Sequence, residues 1–103
     1  MILGLRDRST RLIVTFRNKG LQLLFLTGKS AKVHQNHVRK LQLVLAKLNT
    51  VTHVSDMNFP GSGLHRLKGE KEGFWAVSIN GNWRLIFRFE NENAYDIDYL
   101  DYH

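Results

Sequence analysis

The 103-residue chain has no cysteine, which removes disulfides and thiolate metal sites together and suits a cytoplasmic protein. It has a single proline, Pro60, and no apolar run near the ~18 residues that a membrane helix requires, so no membrane role is expected. The first twelve residues carry three arginines and lack a continuous apolar stretch, which makes them a poor secretory signal. Acidic residues are scarce at one end. Residues 1–48 hold ten Lys/Arg against Asp7 alone, a local charge of +9, whereas residues 49–103 carry −3. A basic half on so small a domain points to nucleic acid or to an acidic protein partner. No phosphate-cradling glycine loop and no nucleophilic serine elbow is present.

What is present reads as one domain over residues 12–103, preceded by an extension over residues 1–11. Leu12-Ile13-Val14-Thr15-Phe16 is β-branched and apolar, a first strand. Leu21, Leu24 and Phe25 then fall at helical spacing, and Gly28 supplies a left-handed stop. A second helix is expected from about Gln35 to Leu48, with Val38, Leu41, Leu45 and Leu48 on its apolar stripe and Arg39, Lys40 and Lys47 off it.

After a loop ending in Phe59-Pro60-Gly61-Ser62-Gly63 the period switches to two. Short strands are expected at Leu64-His65-Arg66-Leu67 and from Phe74 to Ile79, the latter leading through Asn80-Gly81, a strong hairpin signal, to Trp83-Arg84-Leu85-Ile86-Phe87-Arg88-Phe89. The last strand, from Ala94 to Leu100, sets Tyr95, Ile97 and Tyr99 against Asp96 and Asp98. The order is therefore strand, two helices, then four strands. It predicts an α+β fold whose four- or five-stranded sheet is covered on one face by a helical hairpin and bare on the other.

Alternation puts Arg84 and Arg88 on the bare face, where their natural partners are Asp96 and Asp98 or the phosphates of a ligand. The chain stops at Asp101-Tyr102-His103, polar groups at the end of a strand. His65 stands ambiguously between core edge and open face, with Lys68 three residues on. Two histidines with fixed cations nearby are what metal-free RNA cleavage needs. One group takes the ribose 2′-OH proton, another protonates the departing 5′-oxygen, and the cations stabilise the transition-state charge. His34, His37 and His53 show no such pattern, and no metal site is expected.

Leu64-His65-Arg66-Leu67-Lys68-Gly69, Gly73-Phe74-Trp75-Ala76-Val77, Asn82-Trp83-Arg84-Leu85-Ile86-Phe87 and the closing Tyr95-Asp96-Ile97-Asp98-Tyr99-Leu100-Asp101-Tyr102-His103 together resemble HigB-type killer proteins, toxins of the RelE superfamily. The resemblance implies a RelE-like fold and a ribosome-dependent endoribonuclease that cleaves mRNA in the A site without metal or other cofactor, inhibiting translation. Its implied partners are a HigA-type helix-turn-helix antitoxin, the 70S ribosome with its mRNA, and operator DNA reached only through the antitoxin complex. Carried over by position, His65, Asp101, Tyr102 and His103 would be catalytic, with Lys68, Arg84 and Arg88 binding RNA phosphates. Residues 1–11 and Arg66, where proline is frequent, depart from the pattern. The alternative is a non-catalytic nucleic-acid-binding or antitoxin-partner protein with the same fold.

Overall fold

A computed structural model describes residues 13–102. The proposed extension over residues 1–11, Leu12 and the terminal His103 lie outside the described residues.

Helix α1 spans Lys19–Thr27. It starts where Asn18, in extended conformation, turns its side-chain oxygen to accept the Leu21 N–H at 2.9 Å, supplying one of the amide partners a helix start lacks. It ends at Gly28, whose φ of 79° is the expected left-handed stop. Gly20 is buried in the first turn because Lys32 crosses there: a Cβ on Gly20 would come within 2.9 Å of the Lys32 carbonyl oxygen. A single 3-10 turn, Gln35–His37, leads into α2, Val38–Leu48. Leu41, Val44, Leu45 and Leu48 form the buried face of α2, as its spacing predicts.

The sheet has four antiparallel strands in chain order: β1 (His65–Arg66), β2 (Trp75–Asn80), β3 (Trp83–Glu90) and β4 (Asn93–Asp101). Both tight connections depend on positive φ. Gly81 (57°) follows Asn80, while Asn91 (51°) and Glu92 (67°) together form the two-residue loop between β3 and β4. Val77, Ile79, Leu85, Phe87, Ala94, Ile97 and Tyr99 point at the helical hairpin and join Leu21, Leu24, Leu41, Leu45 and Leu48 in the main core. Among the described residues no helix is long and apolar enough to cross a membrane.

Two local features differ from the sequence expectation and share one cause. Residues 13–16 do not form a regular strand. They touch β4 through two isolated parallel bridges, Ile13 to Ala94 and Phe16 to Ile97. Nor does Tyr95 share a face with Ile97 and Tyr99, since Ala94, Ile97 and Tyr99 take the core positions and Tyr95 pairs with Arg88. The reason is a bulge at Asp96, whose φ is 53°, where the register with β3 shifts between Ile86 and Arg88. An extra residue flips the alternation beyond it. Thr15 closes the gap: its hydroxyl accepts the Asp96 N–H at 2.8 Å, and its carbonyl accepts the Ile97 N–H at 3.2 Å.

The face away from the helices is only partly polar. Leu67, Phe74, Ala76 and Ile86 form a second buried cluster there, with Leu100 packed against it.

Candidate RNA-processing site

Antiparallel partners share a face, so the register fixes which side chains meet. His65 pairs with Ala76, Ala76 with Ile86, and Ile86 with Asp98. That row lies on the helix-free face and resolves the ambiguity of His65, which stands on the open side and is exposed. The next row is Ser78, Arg84 and Leu100. His65 and Arg84 are therefore one row and two strands apart on the same face, about 10–12 Å between Cα atoms from standard strand spacing.

The His65 ring is oriented by its own backbone, its Nδ1 lying 2.9 Å from the Gly63 carbonyl oxygen. A carbonyl only accepts, so Nδ1 carries the hydrogen and the neutral ring presents Nε2 outward with a free lone pair. Arg84 is held in a comparable way: its Nη1 donates to the carbonyls of Gly81 at 2.7 Å and Trp83 at 3.1 Å. Among the described residues it makes no ion pair, so the rest of its fork is available to an anion. Tyr102 continues the ladder, its N–H donating to the Asn82 carbonyl at 2.8 Å, and alternation brings it round to the Arg84 side.

Other residues of the predicted set lie elsewhere. Asp101 pairs with Trp83, a position on the helix-side face, so the sheet separates it from His65. Lys68 is exposed at the outer edge of the sheet, where the chain leaves β1 for the turn at Gly69–Lys71. Arg88 is engaged by carboxylates, Glu90 at 3.0 Å and Asp96 at 3.4 Å. This is the cross-strand pairing that alternation suggested for Asp96. Asp98 instead accepts the Tyr99 N–H at 2.8 Å. Arg66, paired with Trp75, stacks its guanidinium 5.1 Å from that indole's centre. Among the described residues no three His, Cys, Asp or Glu side chains gather as metal ligands.

Sequence reasoning set His34 and His37 aside, yet they join a cluster behind the end of β4. The His34 ring lies 4.6 Å from Trp83, tilted at 59°, and Trp83 lies 4.7 Å from Tyr99. His37 is buried and shares a hydrogen bond between its Nδ1 and the Tyr99 hydroxyl. Burial, then the neighbouring His34, lowers the pKa of His37. Burial raises that of Tyr99, opposed by the His34 backbone N–H that donates to its oxygen. The available signal was two histidines three apart at a helix start, together with an aromatic strand end, but nothing local says that they meet.

Comparison with known proteins agrees with this architecture. Residues 14–103 match the family described as HigB-like toxin, the RelE-like toxin of the type II toxin-antitoxin system HigB. The chain is also 38% identical over 92 residues to Endoribonuclease HigB of Proteus vulgaris, an alignment covering 89% of this chain and all of that protein. The match spans most of the chain, and the chain belongs to the HigB-like family of RelE-like toxins of type II toxin-antitoxin systems.

Proposed function

We propose that this toxin is an endoribonuclease that cleaves mRNA on the ribosome by metal-free acid–base chemistry on the open face of its sheet. The observation that carries the reading is the pairing of an outward Nε2 on His65 with an unpaired Arg84 guanidinium on that face. His65 Nε2 removes the proton of a ribose 2′-OH. The 2′-oxygen attacks the adjacent phosphorus, the bond from phosphorus to the 5′-oxygen breaks, and that oxygen takes a proton from a general acid. The products are a 2′,3′-cyclic phosphate and a free 5′-OH. Arg84 stabilises charge on the phosphorane-like transition state, and Lys68 is a second cation from the edge of the sheet. Tyr102 stacks on a base or hydrogen-bonds the phosphate. His103 is the candidate acid, by its place in the family resemblance. Asp101, across the sheet, is given no contact with RNA and acts through the placement of the tail.

As a toxin of a type II module the protein has an antitoxin partner. We assign that partner to the HigA-type helix-turn-helix class, with operator DNA reached only through the complex. The basic helical hairpin, with Lys19, Arg39 and Lys47 on its helices and Lys29 and Lys32 in the connection between them all exposed, supplies a surface for ribosomal RNA.

The test is to induce the wild type, His65→Gln and a His103 deletion in cells and map mRNA 5′ ends. Loss of a general base costs about 10²–10⁴-fold in rate, so His65→Gln should remove the cleavage signal while the protein stays folded. Undiminished cleavage by either variant removes that residue from the mechanism.

A further inference from the structure

We infer that Arg17 is a phosphate-binding residue of the same open face, taking the RNA backbone on the side of His65 away from Arg84. This rests on the reading of that face as the RNA site. The backbone of Arg17 is pinned to the sheet edge, its N–H donating to the Ile97 carbonyl at 2.8 Å. The side chain then reaches back over the sheet until its guanidinium carbon lies 5.7 Å from the centre of the Phe74 ring. Phe74 belongs to the open-face cluster with Leu67, Ala76 and Ile86, and Ala76 is the partner of His65. A residue from the loop before α1 thus holds its charge over the surface that carries the candidate base.

Its position along that surface is what makes it useful. On β3, Arg84 lies two residues before Ile86, whose row holds His65. Phe74 lies two residues from Ala76 in the other direction along the sheet, since Trp75 pairs with Phe87 and Val77 with Leu85. The Arg84 row and the Phe74 row, over whose ring Arg17 sits, therefore flank the His65 row at about one strand pleat repeat on either side, roughly 6–7 Å between Cα positions. A single strand of RNA running along the sheet would meet one cation before the reacting phosphate and one after it.

Arg88, the sequence's own candidate for that end, is held by Glu90 and Asp96. Arg17 is exposed and, among the described residues, has no carboxylate partner. Its seat on an aromatic ring is a weaker engagement than a charge-assisted bond to phosphate, so it is free to exchange one for the other.

A cation that only caps Phe74 would be replaceable by any long apolar stem, and the test exploits this. Binding of the full-length protein to a non-cleavable 2′-O-methyl RNA oligonucleotide is measured across a salt series for wild type, Arg17→Met and Arg17→Lys. Arg17→Met keeps cover over Phe74, so its melting temperature should match wild type. Its affinity at low salt should fall about tenfold, and the slope of log K against log salt should shrink by about 0.7, one phosphate contact on a single strand. Arg17→Lys should recover the slope. An Arg17→Met protein with wild-type affinity and slope overturns the inference while leaving the His65 mechanism standing. A wild type that binds the oligonucleotide neither free at low salt nor as the message of a programmed ribosome overturns the RNA reading of the face, and this inference with it.

Discussion

Removing one oxygen atom probes the cluster behind the end of β4. In Tyr99→Phe the ring stays against Trp83, so apolar burial hardly changes and the perturbation is confined to hydrogen bonding. The hydroxyl meets two groups, His37 Nδ1 and the His34 backbone N–H. His37 is only 3% exposed, so water does not replace the lost partner. A satisfied hydrogen bond contributes a net ~0.5–1.5 kcal/mol, whereas stranding a buried polar atom costs about 1–3 kcal/mol. The second figure applies here, and a loss of about 2 kcal/mol is expected. For a domain of this size that lowers the midpoint by roughly 8–16 °C. Urea unfolding should show a reduced midpoint at an unchanged slope. In a His37→Leu background the same Tyr99→Phe change should cost far less, because the stranded nitrogen has gone. A single-variant loss below about 0.5 kcal/mol, the range of ordinary surface changes, would refute the account.

Two further outcomes follow from the same side of the sheet and from α1. Because burial lowers the His37 pKa, the unfolded chain takes up a proton near 6.5 while the folded one still refuses it. Stability should be full above that pH and fall as pH drops from it towards the folded value; a flat urea midpoint between pH 7 and 5 would contradict this. Gly20→Ala would normally strengthen a helix by about 1 kcal/mol. Here the new Cβ meets the Lys32 backbone oxygen at 2.9 Å, and overpacking of about 1–3 kcal/mol should win, giving a lower melting temperature than wild type; a rise would show that the crossing gives way easily.

Much of the fold was readable because its signals are local. Gly28 ends α1 where the apolar spacing stops, and the stripe of α2 is buried as its period requires. Asn80-Gly81 makes its hairpin, whereas the side taken by His65, ambiguous from alternation, is settled by its pairing with Ala76 and by Leu67, two residues on, packing there. What stayed hidden was set by single residues in unusual backbone states or by contacts far apart in sequence. A period-two count cannot see Asp96 in a left-handed conformation, so it puts Tyr95 on the wrong face. Asp101 takes the side of Ile97 and Tyr99, as unbroken alternation beyond the bulge requires, so its place in the predicted site rests on the family resemblance alone. His37 and Tyr99 are 62 residues apart, and Arg17 meets Phe74 only because the chain before α1 is laid along β4.

The two short bonds from Arg84 to the hairpin carbonyls have a thermodynamic meaning beyond their geometry. A free arginine side chain carries about 2 kcal/mol of rotamer entropy that a ligand must quench on arrival. In this protein part of that disorder is surrendered when the chain folds, so an anion bound by the remaining guanidinium N–H groups would lose less affinity in stilling the side chain.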